Sequence, residues 1–423
     1  MATGSLWRHG DFLRLWAGQT VSQFGEQITT IALPLTAVLL LHANAFEMGV
    51  LGAMTTLPFV VVGLFVGVFV DSRRRRPLLI VADAARAVLL GVVPVLAVLH
   101  RLSFPPLLPI AFAVGCLTVL FDVAYQSYLP AVVGREALVD GNAKLETTRA
   151  LSQVAGPSLG GVLTSALTAP VAVAANALTY VVSVISLIAI RAVEPAPEPR
   201  TQRTLPQIRE GLAWVLGQPM LRAIAGCTGT SNFFGNIGTA VFVLFVVREV
   251  GLSPALLGIV YGGGSVGGIA GAMFARRIGD RLGVGPAILA SAVAFTVFAL
   301  LIPLAPHLES VAVPLLVGSS VFRSFGSTAY NIMQVSLRQA VTPDRLLGRM
   351  NASMRFVVWG TMPFGSFVGG LLGTAVGLRD TLWIAAVGGL LAVVWVLVSP
   401  LVSVRTVDEA TARLVPKGEP AAG

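Results

Sequence analysis

Three ionisable side chains interrupt apolar stretches of this chain that are long enough to cross a lipid bilayer. Glu26 lies near the middle of the first stretch, Arg323 near the middle of the tenth and Asp122 toward the end of the fourth. An ionisable group at that depth costs about 2.5 kcal/mol or more, so it normally faces a partner or a water-filled cavity. A carboxylate kept from bulk water favours its protonated form, which suits a group that takes up and releases a proton. Glu26 has the best position for that chemistry, and Asp122 is the alternative. Other roles fit as well: Glu26 as a structural acid bonded to helix-end amides, Asp122 as a partner of nearby basic loops, and Arg323 as a neutralising cation. The four histidines are isolated and lack metal-ligand spacing, and the chain has no phosphate-binding G-x-x-x-x-G-K-[ST] loop. No metal, cofactor, enzymatic reaction or ATP hydrolysis is therefore expected.

Those side chains must be positioned by membrane helices. Of the 423 residues, 55% are hydrophobic and only 12% charged, and the mean hydropathy is +0.83. A soluble domain carries roughly 25% charged residues. The 45 glycines and 25 prolines suit packed transmembrane helices, where small residues let backbones approach closely. Cys116 and Cys227 both sit in apolar runs and read as buried thiols.

The chain is also written twice. Gly25-Glu26 recurs as Gly235-Asn236, Gly49 as Gly258, Asp71 as Asp280, Ala124-Tyr125 as Ala329-Tyr330, and Arg149 and Pro157 as Arg355 and Pro363. Each recurrence falls about 200 residues after its first copy, the mark of a tandem duplication. Asn236, with Asn232 one turn earlier, keeps hydrogen-bonding capacity where Glu26 can titrate. Apolar runs of about 20 residues predict twelve spans, near 12–41, 48–70, 77–99, 104–131, 150–168, 171–190, 219–247, 252–275, 284–305, 309–337, 353–377 and 381–403. The predicted organisation is a six-helix half at 1–190, a linker at 191–218, a second half at 219–405 and a tail at 406–423.

Arginine and lysine set the expected orientation. With the N-terminus inside, the cytoplasmic connections hold Arg73 to Arg76, Arg135, Lys144, Arg191, Arg200, Arg203, Arg209, Arg276, Arg277, Arg281, Arg338, Arg345 and Arg349, with Arg149 and Arg355 at the inner ends of helices 5 and 11, while the other side holds only Arg101, Arg248 and Arg379. Both termini are thus expected in the cytoplasm, at a plasma or inner membrane. The net charge of +9 follows from this topology and from anionic headgroups, without nucleic acid. The linker carries Pro195, Pro197 and Pro199, then Leu205, Ile208, Leu212, Val215 and Leu216 at helical spacing. That pattern predicts a stiff segment followed by an amphipathic helix on the inner surface.

The segment Gly67-Val-Phe-Val-Asp71-Ser-Arg73-Arg-Arg75-Arg76, echoed by Asp280-Arg281-Leu282-Gly283, resembles the G-x-x-x-D-R-x-G-R-R loop of the major facilitator superfamily. The resemblance implies a cytoplasmic latch in which the acid pairs with nearby arginine. Arg74 replaces the pattern's glycine, and the second copy has Arg276 for its first glycine and lacks the later basic pair. Gly156-Pro157-Ser158-Leu159-Gly160-Gly161 resembles the G-P-x-x-G-G signature of that superfamily's antiporters, although small-residue packing accounts for the same pattern. The opening Phe12-Leu-Arg14-Leu-Trp16 through Gly25-Glu26, with Arg209-Glu210-Gly211-Leu212 and Gly348-Arg349-Met350, is similar to the macrolide-efflux and enterobactin-exporter branch.

The resemblance implies an all-α membrane protein of twelve transmembrane helices in two pseudo-symmetric halves, with helices 1, 4, 7 and 10 lining a central cavity. It also implies a monomeric multidrug-type or siderophore-type efflux transporter that exchanges protons for a small-molecule substrate. A gradient-independent uniporter or importer, and a non-transporting membrane sensor or assembly protein, are the alternatives.

Overall fold

The computed structural model describes residues 6–134, 137–192, 194, 204–307 and 311–412. Arg135, Arg200, Arg203, the linker prolines and most of the tail lie outside the described residues. Among the described residues the structure is helical and contains no strand. Every predicted span falls on helix: α1 (Gly10–Leu35), α2 (Ala45–Val61) with α3 (Gly63–Asp71), α4 (Arg75–Val98), α5 (Phe104–Val133), α6 (Leu138–Ala166) and α7 (Ala169–Ala189) in the first part. After the short α8 (Thr204–Gly217) come α9 (Pro219–Arg248), α10 (Pro254–Leu282), α11 (Val284–Val297) with a 3-10 extension Phe298–His307, α12 (Ala312–Ala340), α13 (Asp344–Ala375), and α14 (Leu378–Gly389) with α15 (Leu391–Leu397).

Eight of these spans are apolar enough to cross a membrane by length and composition alone, and α2 with α3 makes a ninth that bends by 55°. The bend falls at Val62 and Gly63, one turn after Pro58, whose missing N–H weakens the preceding hydrogen-bond ladder. The remaining three, α1, α6 and α12, run 26, 29 and 29 residues and carry more polar side chains. Two helices start well ahead of their apolar runs. α6 begins at Leu138 and α13 at Asp344, so Lys144, Arg345 and Arg349 lie on helices and not in loops. Hydropathy marks where a helix enters lipid, whereas the backbone continues beyond that point wherever side chains support it.

Local chemistry fixes several starts. Ahead of α2, Asn44 Oδ1 accepts from the Glu47 N–H at 2.9 Å and Glu47 Oε2 accepts from the Asn44 N–H at 2.8 Å, a capping box that satisfies two orphan donors. Pro105 opens α5, where its missing N–H has no cost.

The chain packs as two compact units. One comprises Met1–Gln202, Thr239–Gly262 and Ser366–Leu378; the other comprises Arg203–Gly238, Gly263–Gly365 and Arg379–Gly423. In the first unit α1 packs on α6 and α7, α4 on α5 and α7, and α2 on α5. In the second, α11 packs on α12 and α15, and the buried Tyr330 of α12 stacks edge-on against Phe295 of α11.

Within the first unit, the repeat-related Gly49 and Gly258 each meet a glycine of another helix. Gly49 of α2 meets Gly370 of α13, and Gly258 of α10 meets Gly161 of α6. A Cβ at Gly370 would stand 2.8 Å from the Gly49 Cα, and one at Gly161 would stand 3.0 Å from the Gly258 Cα. Only glycine permits that backbone approach. Gly161→Val is therefore expected to lower the thermal stability of detergent-purified protein, with overpacking costing about 1–3 kcal/mol. Gly91→Ala, where a Cβ meets nothing within 4 Å, is expected to leave stability unchanged or raise it. Equal behaviour of the two variants would remove the glycine contact from the packing argument.

Candidate functional site

Among the described residues of the first unit one arginine is fully buried, Arg86, in the middle of α4. Its two terminal nitrogens serve different partners. Nη2 donates to Asp83 Oδ1, one turn earlier on α4 and equally buried. Nη1 donates to Glu26 Oε1 of α1 at 2.8 Å, to Thr118 Oγ1 of α5 at 3.3 Å and to the Tyr180 hydroxyl of α7 at 3.3 Å. The Tyr180 hydroxyl in turn donates to Glu26 Oε1 at 3.2 Å. The guanidinium lies between two rings, 4.6 Å from the Phe121 centroid and 4.3 Å from that of Tyr180. A desolvated cation over an aromatic face gains about 2 kcal/mol. Four helices thus converge on one cation. The Glu26 side chain is 36% exposed while Asp83 and Arg86 are 0% exposed, so Glu26 is the open end of this cluster.

The acid proposed for proton chemistry therefore meets side chains of α4 and α7, and its cation is Arg86. Asp122 lies on α5 beside Phe121, exposed, and shares electrostatic contact with Glu26, Arg86 and Arg149. Asn232, Asn236 and Arg323 belong to the second unit. There Asn232 Nδ2 donates to the Val358 carbonyl at 2.9 Å and Asn236 Nδ2 to the Asn232 carbonyl at 2.9 Å, while Arg323 is half-buried on α12. The asparagines brace α9 against α13 and against the helix's own backbone.

The arginine run before α4 has a partner that the sequence pattern does not name. Glu194, just beyond α7, accepts from the Arg75 N–H at 2.6 Å, from Arg75 Nη1 at 3.4 Å and from the Arg76 N–H at 3.2 Å. A carboxylate on free N–H groups at a helix start meets the positive end of the helix dipole. Arg76 also donates to the Leu187 and Ile188 carbonyls at 3.0 and 2.7 Å, capping the end of α7. Arg73 lies over the Phe69 ring, 4.8 Å from its centroid. Gly67 and Asp71 sit on α3, which ends at Asp71 itself. Nearby, Asp11 accepts from the Arg191 N–H at 3.1 Å and pairs with Arg14 at 2.7 Å. Burial works against the Asp11 charge, but the Arg191 N–H and the Arg14 guanidinium outweigh it and hold the carboxyl below its ordinary range. In the second copy of the loop, Asp280 meets Arg276 of its own helix at 3.7 Å with both side chains exposed, and Arg281 is exposed too.

The glycine-proline segment of α6 is a packing surface on two sides. A Cβ at Gly156 would run into Gln27 of α1, and one at Gly160 would stand 3.0 Å from the Ile28 Cα. On the other side the Gly258 position approaches the Pro157 carbonyl, and Ser158 Oγ donates to the Gly258 carbonyl at 3.2 Å. The segment thereby seats α6 on α1 beside Glu26.

Asp83, Arg86, Tyr180 and Glu194 are the residues that sequence reasoning missed. Asp83-Ala-Ala-Arg86 carries a readable signal: an acid and a base three positions apart, on one helix face, inside an otherwise apolar run. Carrying the Asp71–Asp280 register forward puts Ala292 and Phe295 at the corresponding places of the second half. The charge pair belongs to one half only.

A helical membrane protein with a buried, helix-bridging ion cluster and close glycine contacts of α2 with α13 and of α6 with α10 has the form of a major facilitator transporter. The chain aligns with a bacterial homologue of the human lysosomal transporter Spinster at a TM-score of 0.71, over 96% of this chain and 99% of that one, at 13% identity. By sequence it is 27% identical over 389 residues to the multidrug efflux pump Tap of Mycolicibacterium fortuitum, covering 88% of this chain and 92% of Tap. It is 25% identical over 353 residues to the enterobactin exporter EntS of Citrobacter koseri, covering 81% and 80%. Residues 3–420 match the family described as transmembrane secretion effector, and the chain belongs to that family of major facilitators.

Replacing Arg86 by Met leaves Asp83 buried without its cation, and breaking a buried pair from one side costs about 3–5 kcal/mol. Arg86→Met is expected to lose stability on that scale, and Asp83→Asn added to it is expected to recover most of the loss. Thermal unfolding of the single and double variants in detergent measures both. A double variant no more stable than Arg86→Met would show that the ion pair is not what holds α4.

Proposed function

We propose that this transporter is a secondary exporter of an amphipathic organic compound, powered by proton entry through an alternating-access cycle. The observation that carries the reading is the Glu26–Arg86 contact at 2.8 Å, in which the carboxylate is partly open to solvent and the guanidinium is closed to it. An ionised Glu26 ties α1 to α4 through a charge-assisted hydrogen bond. A protonated Glu26 loses most of that attraction, so proton uptake loosens α1 while Arg86 stays with Asp83. A tie that forms and breaks with one proton gives a two-state element, which coupling requires. Export of organic molecules is supported by the relatives, a multidrug efflux pump and an enterobactin exporter.

In this reading residues 1–190 and 219–405 are the two moving halves, and both termini face the cytoplasm. The Gly49–Gly370 and Gly161–Gly258 contacts then lie toward the outer face, where they close the exit. The Arg75–Glu194 and Arg76–α7 contacts lie toward the cytoplasm and hold the inner ends of α4 and α7 together. Gly67, Asp71 and Arg73 act beside them as the inner latch. Protons, a small molecule and the bilayer are its partners.

Substrates are found by comparing growth inhibition across a compound panel in cells with and without the protein. Purified protein in liposomes with an imposed pH gradient then tests coupling. Glu26→Gln is expected to abolish gradient-driven export and to keep passive exchange of the same compound, because glutamine preserves size and hydrogen bonding but does not titrate. Uphill export at the wild-type rate would remove Glu26 from the mechanism and leave Asp122 as the carrier. In the same assay Asp71→Asn is expected to slow transport by an order of magnitude or more with folding intact, following loss of a charge-assisted contact. An unchanged rate would reduce the loop to a topology signal.

A further inference from the structure

Basic residues are sparse on the side of this chain expected to face away from the arginine-rich loops, and Arg248 is one of them. It is the last residue of α9. Its Nη2 donates to the His42 carbonyl at 3.2 Å and to the Ala43 carbonyl at 2.9 Å, both in the turn between α1 and α2. That turn ends the first long helix. α1 continues through Thr36–Leu40, the Ala43 N–H closes back on the Ala37 carbonyl at 2.9 Å, and His42 takes φ +53°, the left-handed conformation that stops a helix. α1 and α9 open the two repeats, with Glu26 of one corresponding to Asn236 of the other. One guanidinium therefore serves two repeat-related helix ends. Each end carries the partial negative charge of its free carbonyls, and a cation placed between them offsets both.

The device is one-sided. The register that relates Gly49 to Gly258 pairs Arg248 with Leu39, an exposed apolar residue that offers no charge. Other contacts between the repeats in this unit are of a different kind. Gly49 meets Gly370 and Gly161 meets Gly258 through close backbone packing, and Ser165 Oγ accepts from the Ala255 N–H at 3.0 Å. Arg248 adds a charge-assisted contact to this neutral set. We propose that Arg248 is a positioning residue for transport, the latch that holds the outer ends of α1 and α9 together and lets go when the exit opens. The proposal rests on the alternating-access reading with both termini in the cytoplasm, which puts these helix ends at the outer face. The chemistry suits a contact that breaks and re-forms. The arginine is exposed and its acceptors lie at a helix end, so on separation both partners exchange the bond for water and neither is left unsatisfied. The buried Asp83–Arg86 pair has no such exchange.

The test reads the opening itself, as the distance distribution between spin labels at Val98 and Val311, exposed positions in the first and second repeats. It is made in liposomes, with Cys116 and Cys227 replaced by serine, and needs neither substrate nor proton gradient. Arg248→Met is expected to raise the longer-distance population at least twofold. Arg379→Met is the control. Arg379 Nε donates to the Pro303 carbonyl at 3.0 Å within the second unit, so its loss removes an arginine from the same side without touching the end of α1, and the distribution is expected to stay as in wild type. An Arg248→Met distribution equal to that of wild type, or an equal shift in both variants, overturns the proposal. Should Arg248→Met fail to fold, Arg248→Lys decides by itself. Its single ammonium in place of the fork is expected to raise the longer-distance population as well, and an unchanged distribution overturns the latch. Failure of the exporter reading appears elsewhere, as absence of gradient-driven flux in the liposome transport assay, and is separable from these outcomes.

Discussion

A guanidinium closed off inside the protein draws its compensation from neighbouring side chains, and those around Arg86 come from four helices. Asp83 on its own helix, Glu26 on α1, Thr118 and Phe121 on α5 and Tyr180 on α7 surround it. No one of these helices can shift without changing the balance at the cation. The packing of the first unit serves this requirement. Gly156 and Gly160 let α6 approach α1 on the side next to Glu26, and Gly25 lets α1 approach Asn176 and Thr179 of α7. The position of Glu26 is set by backbone contacts as much as by its own hydrogen bonds.

The two halves descend from one sequence pattern but have divided its chemistry. Glu26 corresponds to Asn236, and Asp83 and Arg86 correspond to Ala292 and Phe295. Where the first half surrounds a cation with rings, the second packs Phe295 against Tyr330 at 5.4 Å between centroids. The same space is filled by charge in one unit and by apolar contact in the other.

The fold was legible because membrane helices announce themselves through long apolar runs, and the duplication told where the second set begins. The starts of α6 and α13 were not legible, since Asp140, Lys144 and Glu146 look like loop residues until the helix beneath them is seen. Glu26 was legible as a costly acid in lipid. Its partner was overlooked because Asp83 and Arg86 nearly cancel in any charge average, leaving α4 one of the more apolar spans. Glu194 was hidden in another way: it stands at the edge of a proline-rich linker, and only the folded chain brings it to the start of α4. Side chains that act across sequence distance leave little trace in spacing.

Spin labels at Thr30 of α1 and Val98 of α4, with Cys116 and Cys227 replaced by serine, would follow the tie between these helices directly in liposomes without substrate. Proton control of the Glu26–Arg86 contact requires the distance distribution to lengthen or broaden between alkaline and acid pH in otherwise wild-type protein. It also requires Glu26→Gln to show the acid distribution at both. A distribution indifferent to pH, or a Glu26→Gln protein that still follows pH as wild type does, would contradict the claim that one proton on Glu26 releases α1.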